Sequence, residues 1–413
     1  MTAEFADDPG PWLRLTALAG AAATAMVVAA AALHLDLAHR VLAAAALPPL
    51  VAVAVAAVGA HHRLRPAAFA ALGLFVAEIV AGGVAVVTGR PSWAVVLHLA
   101  IAAAALAAAL IAAAATFRAR SPGRVVWRDY VTLTKPRIMS LLLLTAACGM
   151  VVGDAGLPGA GRFAATMVGL ALACGGASAF NHLLDRDIDR TMSRTDRRPV
   201  ASGRVSPPRA LEFGLALSAA SFVLLGVTVN LVAALLALVG NLFYVFVYTR
   251  WLKRSTPQNI VIGGAAGAIP PLVGWAAATG RITLPALVLF LIVFVWTPPH
   301  FWALALLIKR EYQAAGVPML PVVRGDVEAT RQIVRYSLAM VAVTLLPAAV
   351  GISGWAYAAA AALLGAYFIH LARRLLRDPG PARAGALFHY SLLYLALLFV
   401  AMALDAALAA PIT

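Results

Sequence analysis

Asn181-His182-Leu183-Leu184-Asp185-Arg186-Asp187-Ile188-Asp189 closes a long apolar run, and Arg197-Arg198-Pro199 follows it. Helical residues four apart share a face, each about 6 Å further along the axis, so Asn181, Asp185 and Asp189 are expected to form one stripe of oxygens with Asp187 turned away. Mg²⁺ takes oxygen ligands, keeps several waters and binds through one or two carboxylates plus substrate phosphates, and arginine forks match phosphate oxygens. The stretch is therefore expected to hold a divalent cation and a diphosphate. A solvated, salt-bridged loop end is the alternative, since Arg and Asp alternate through 185–198, but it does not require a carboxamide one turn inside the apolar run.

The rest of the chain places that stretch in a membrane. Of its 413 residues, 63% are hydrophobic and 12% charged, with a mean hydropathy of +0.90; this is a polytopic membrane protein, and water-soluble readings are excluded. A net charge of +15 would point to nucleic acid in a soluble chain, but here the placement of Lys and Arg matters more than their sum. No nucleic-acid partner is expected.

Apolar runs of about 20 residues between charged or Gly/Pro-rich breaks give thirteen candidate spans. They start near residues 12, 41, 66, 93, 138, 163, 209, 230, 258, 283, 333, 353 and 386. With a cytoplasmic N-terminus, all of the 32 Lys and Arg residues except Arg40, Arg90, Arg162 and Arg281 fall on the inner side. That asymmetry places the Asp-rich stretch at the cytoplasmic face, where soluble diphosphates are made. Asp7 and Asp8 without a basic n-region mark the first span as a retained helix. Cys148 and Cys174 sit in apolar spans without CxxC spacing and are expected to be free core residues.

Several motifs in order carry a resemblance. Thr134-Lys135-Pro136-Arg137, the 181–199 stretch, Tyr248-Thr249 with Lys253-Arg254, Asn259 to Trp275, and Thr297-Pro298-Pro299-His300-Phe301-Trp302 together resemble the intramembrane prenyltransferase superfamily. Within it they are most similar to the haem O synthases, which are protohaem IX farnesyltransferases. The resemblance spans residues 125–413. It implies an all-α bundle of nine transmembrane helices around a cavity, in a bacterial plasma membrane, with farnesyl diphosphate and haem B as substrates and Mg²⁺ as cofactor. Carried over, Asn181, Asp185 and Asp189 are the metal and diphosphate residues, and Lys135, Arg137, Arg197, Arg198, Lys253 and Arg254 are the phosphate-gripping cations. Water must be kept from the reacting carbons, because premature quenching of a farnesyl cation would give farnesol.

The second polar motif departs from the superfamily, where a second run of spaced aspartates is common. Here only Glu311 is acidic, in Lys309-Arg310-Glu311-Tyr312, and it is expected either to bind metal or to pair with Arg310. His300, in an aromatic and Pro-rich setting, is read either as a contact to haem iron or propionate or as a hydrogen-bonded core histidine. The Gly/Ala-rich run 262–271 serves close helix packing, with room for a prenyl chain as a second reading.

Residues 1–124 form a separate four-helix membrane bundle in this reading. His39 and His98 fall at similar depth on two spans running the same way, so the two imidazoles are expected to sandwich a haem. His39-Arg40, the 72–83 stretch, Pro91-Ser92-Trp93 and His98-Leu99 resemble one half of haem A synthase; an Ala-rich anchor with incidental histidines is the alternative. The resemblance implies haem A synthase or oxidase-assembly proteins as partners. Two competing functions stand beside haem farnesylation: prenylation of a quinone or chlorin ring, and a haem-binding carrier or scaffold for oxidase assembly.

Overall fold

A computed structural model describes residues 11–32, 36–59, 64–88, 92–116 and 127–409, and these are helical apart from turns and the longer segment 192–206. The first four helices are α1 (Pro11–Ala32), α2 (Asp36–Gly59), α3 (Arg65–Val87) and α4 (Ser92–Ala115). Then come α5 (Trp127–Thr134), α6 (Pro136–Gly153), α7 (Ala160–Leu184), α8 (Arg186–Thr191), α9 (Pro207–Thr228) and α10 (Leu231–Leu242). A π-helical stretch, Phe243–Leu252, joins α10 to α11 (Lys253–Ser255). The chain continues as α12 (Asn259–Thr279), α13 (Leu284–Leu307), α14 (Lys309–Ala314), α15 (Leu320–Thr344), α16 (Leu346–Ala349), α17 (Trp355–Arg377) and α18 (Pro381–Ala409).

Among the described residues ten helices are long and apolar enough to cross a membrane, one of them Arg65–Ala85 and the other nine after Trp127. Backbone polar groups have no water partners in hydrocarbon, so helices that satisfy them internally are the form such a sequence must take. The protein is thus an all-α polytopic membrane protein. Its helix starts follow the expected breaks, with one difference: α15 begins at Leu320 rather than near residue 333. The early turns of α15 carry Arg324, Asp326, Glu328, Arg331 and Arg335, which end the apolar run, and Gly325 (φ 78°, ψ 171°) is non-helical and separates a short first turn from the long helix that follows.

The helices after Trp127 close on themselves. α12 packs on α6 and α13, α13 on α15, α15 on α17, α17 on α18, and α18 returns to α6. The 262–271 run and its neighbours let backbones touch: a Cβ at Gly274 would lie 1.9 Å from the carbonyl oxygen of Ala146, and one at Gly263 would lie 2.3 Å from the Tyr248 ring. Small residues at such crossings replace the hydrophobic drive that lipid cannot supply. Upstream, α1 packs on α2 and α4, α3 on α4, and α4 lies against α9, over a core made largely of alanines.

Candidate functional site

The end of α7 is where polar groups gather in an apolar interior. Asn181, His182, Asp185 and Asp189 are all buried, Asp185 completely. Burying a carboxylate is costly unless it is paired and hydrogen-bonded, and here cations from three other segments provide the pairing. Asp185 Oδ2 accepts hydrogen bonds from Lys253 Nζ at 2.5 Å and from Asn181 Nδ2 at 2.7 Å. Its other oxygen, Oδ1, has Arg254 at 3.9 Å but accepts no hydrogen bond. Lys135 Nζ donates to Asn181 Oδ1 at 2.5 Å, and Thr249 Oγ1 lies 3.2 Å from Asn181 Nδ2.

Local backbone choices aim these groups. Lys135 stands in the left-handed region (φ 51°, ψ 58°) immediately before Pro136 at the start of α6. The residue before a proline ordinarily prefers extended backbone, and a non-glycine residue with positive φ is strained, a feature that clusters at functional sites. Burial first, and then the Arg198 charge, push the Lys135 ammonium down to about 7; Lys253 adds to this and Asp185 and Asp189 oppose it. Thr249 rides on the π-helical stretch, whose wider turn shifts the register of the side chains that follow; such turns recur at functional sites.

The expected single stripe does not run unbroken. α7 ends at Leu184, and Asp185 adopts φ −89°, ψ 4° before α8 begins. Asp189 still follows Asp185 by one hydrogen-bonded turn, Asp189 N to Asp185 O at 2.8 Å. The bend delivers its carboxylate to Arg198, whose Nη1 donates to both oxygens at 2.8 and 2.9 Å. Asp187 faces outward and takes a two-pronged hydrogen bond from Arg254, 2.7 Å on each side, which holds its carboxyl well below the usual carboxylate range. Arg254 also donates to the Leu184 carbonyl at 2.7 Å, placing a cation on the C-terminal end of α7 where the helix dipole favours one.

Arg137 and Arg197 are exposed. Glu311 is half-buried, with Oε2 3.4 Å from the Arg194 backbone N–H in the segment after α8. Among the described residues no three His, Cys, Asp or Glu side chains gather around one point, so Asp185, Asp189 and Glu311 do not form a three-carboxylate cluster. The first motif instead offers one carboxylate and one carboxamide. The residues after α14 and those of α8 do share a cavity of about 320 Å³, lined by Asp187, Ile188, Thr191, Arg254 and Ala314 to Val317.

His300 lies on α13 in a box of aromatic rings, stacked on Trp296 at 4.4 Å and Phe388 at 4.9 Å. Its Nδ1 is 2.6 Å from Ser391 Oγ. The Ser391 hydroxyl donates to the Phe388 carbonyl at 2.6 Å, so toward His300 it accepts, which puts the proton on Nδ1 and the lone pair on Nε2. In the N-terminal region His98 Nδ1 is 3.1 Å from the Glu78 carbonyl and Nε2 is 3.6 Å from Glu78 Oε1. Glu78 therefore faces both ring nitrogens. The His39 side chain lies outside the described residues. Cys148 and Cys174 are free thiols.

The chain as a whole matches known proteins. The profile of the UbiA prenyltransferase family matches residues 142–403. The protoheme IX farnesyltransferase of Roseiflexus sp. (strain RS-1) is 46% identical over 402 residues, covering 90% of this chain and 75% of that protein. That of Symbiobacterium thermophilum is 53% identical over 285 residues, covering 68% of this chain and 95% of the relative. The chain belongs to the UbiA prenyltransferase family and, within it, to the protoheme IX farnesyltransferases. Two solved structures share the fold: a digeranylgeranylglyceryl phosphate synthase (TM-score 0.58, 20% identity, 68% of this chain and 98% of that one) and a UbiA homolog from Aeropyrum pernix K1 (TM-score 0.54, 20% identity, 64% and 96%).

Sequence reasoning singled out Asn181, Asp185, Lys135, Lys253 and Arg254, and the structure brings them together. It missed Thr249 as a partner of Asn181, although Tyr248-Thr249 stood in a recognised motif. It also passed over His182, adjacent to Asn181 and three residues before Asp185, where the same helical arithmetic applies.

Proposed function

We propose that the chain transfers the farnesyl group of farnesyl diphosphate to a vinyl group of haem B, with addition of water, giving haem O and diphosphate. The observation that carries this reading is Asp185, a fully buried carboxylate with one oxygen lacking any hydrogen-bond donor, ringed by Lys135, Lys253 and Arg254. Asp185 Oδ1 and the Asn181 carboxamide oxygen suit a hard cation that takes its remaining ligands from phosphates and water. When bound, Mg²⁺ supplies charge neutralisation of the departing diphosphate. The chain's own contribution is to hold that diphosphate between Lys135, Lys253, Arg254 and Arg198, in positions fixed before the reaction. The C1–O bond of the allylic diphosphate breaks, C1 bonds to the outer vinyl carbon, and water adds its hydroxyl to the inner carbon and releases one proton.

His300, fixed by Ser391 with its Nε2 lone pair presented, is the proposed haem contact. Residues 125–413 form the nine-span catalytic domain in this proposal and residues 1–124 a four-span bundle, oriented in a bacterial plasma membrane with the Asp185 end cytoplasmic. Two facts support that division: a relative of Symbiobacterium thermophilum is spanned almost entirely by a match to 68% of this chain, whereas a match over 90% of the chain must run into its first 124 residues. The bis-histidine haem expected for residues 1–124 is not part of the proposal, because Glu78 faces both ring nitrogens of His98. Haem A synthase or an oxidase-assembly protein is the expected recipient of the product.

Competition between acceptors tests the reading. Purified protein in lipid nanodiscs, given farnesyl diphosphate, Mg²⁺ and equal haem B and an aromatic quinone precursor, is expected to prenylate only the haem. Prenylation of the quinone precursor with haem B unchanged would overturn it.

A further inference from the structure

Four polar side chains share the inward face of α7's last turns. At 100° per residue, Ser178, Asn181, His182 and Asp185 fall within an arc of about 100°. Asn181 and Asp185 are bonded to each other and to Lys135 and Lys253. The other two are not. His182 is 1% exposed, yet neither ring nitrogen has a hydrogen-bond partner, and Ser178 Oγ, one turn earlier, has none either. Lys135 and Arg198 are near enough for their charges to act on His182.

A buried imidazole with both nitrogens unsatisfied is costly, and an apolar side chain of similar size would pack there without that cost. The ring has an N–H to give, and Lys135 and Arg198 among its charged neighbours are cations. The group that two such cations and an N–H donor would jointly recognise is a polyanion. We propose that His182 is a further substrate-contacting residue: its imidazole donates one N–H to an oxygen of the diphosphate. This rests on the reading of Asn181 and Asp185 as the diphosphate end of the site. The hydrogen bond strengthens as the C1–O bond breaks and negative charge collects on the leaving oxygens, so it acts on the transition state as well as on binding.

Inorganic diphosphate, the leaving group itself, is the probe, as an inhibitor of haem farnesylation by the full chain in nanodiscs. His182→Phe keeps a flat ring without a donor and is expected to weaken inhibition by about tenfold or more, the loss appropriate to a hydrogen bond to a charged group, with KM for haem B unaltered. His182→Gln and His182→Asn place an amide N–H near the positions of Nε2 and Nδ1; one of them is expected to restore inhibition and so to identify the donating nitrogen. A folded His182→Phe protein with unchanged inhibition would overturn the proposal, as would Phe, Gln and Asn variants equally impaired. Should the Phe variant fail to fold, equal inhibition constants for Gln and Asn would overturn it. Asp185→Asn, run in parallel by direct diphosphate binding, separates the two levels: loss there with no effect at His182 removes only this proposal, and no loss at Asp185 removes the site reading beneath it.

Discussion

Lys253 Nζ lies 2.5 Å from Oδ2 of Asp185, a carboxylate with no exposed surface whose second oxygen accepts no hydrogen bond. The lysine and the aspartate neutralise each other. Asp185 would hold a cation through its carboxylate and Lys253 would hold a phosphate oxygen through its ammonium.

Replacing Asp185 by Ala removes the carboxylate at that point. Prenyl transfer is expected to fall by about a thousandfold, the scale seen when a group aimed at developing charge is lost. Asp187→Ala, by contrast, removes an exposed carboxylate paired with Arg254 and is expected to stay within about fivefold of the parent. Steady-state rates of both variants at saturating Mg²⁺ decide the point, and comparable losses in the two would contradict the geometry.

Both oxygens of Asp189 are committed to Arg198. Removing one partner of a buried pair strands the other charge, so Arg198→Ala is expected to cost about 3–5 kcal/mol of stability. Thermal unfolding in detergent measures this. Asp189→Asn should leave the Mg²⁺ concentration for half-maximal activity within about threefold of the parent; a much larger shift would make Asp189 a metal ligand rather than a clamp on the loop that carries Arg198.

Lys135 shows the opposition of stability and function in one residue. Its left-handed backbone suits glycine, so Lys135→Gly is expected to raise stability by about 1 kcal/mol. Activity should nevertheless collapse, since the cation on Asn181 is lost. A Gly variant that is less stable than the parent would show that the backbone is not strained there.

Ser391 joins three groups of the α13–α18 contact: its carbonyl accepts from Trp296 Nε1 at 2.9 Å, and its hydroxyl bridges Phe388 and His300. Ser391→Ala frees the His300 ring to change tautomer. It is expected to raise KM for haem B by about three- to tenfold, the worth of one hydrogen bond, without altering KM for farnesyl diphosphate. Equal effects on both substrates would indicate general loosening of the helix pair.

Much of this architecture was legible because the bilayer imposes simple rules. Apolar runs with charged breaks gave the starts of α6, α7, α9, α12 and α13 within a few residues, and a carboxamide and carboxylate four apart drew attention to Asn181 and Asp185. The start of α15 was not legible, because its first turns are amphipathic and charged. Nor were the features that depend on neighbours rather than on local pattern. The π-helical Phe243–Leu252 continues the apolar run of α10, and its wider turn has no sequence signature. The partners of Asp185 and Asp189, Lys253 and Arg198, come from segments distant in sequence or beyond the helix end. His98 looked like a ligand until its neighbour on α3, Glu78, was placed beside it, since pairing across helices is invisible to a reading of each helix alone.

The most direct measurement is the product formed by the purified chain in nanodiscs from haem B and farnesyl diphosphate in H₂¹⁸O, read by mass spectrometry with and without Mg²⁺. The account predicts a haem bearing one farnesyl group and one ¹⁸O-labelled hydroxyl, formed only with Mg²⁺ and absent with Asp185→Ala. Unmodified haem B under all conditions, with farnesyl diphosphate either intact or hydrolysed to farnesol, would contradict it.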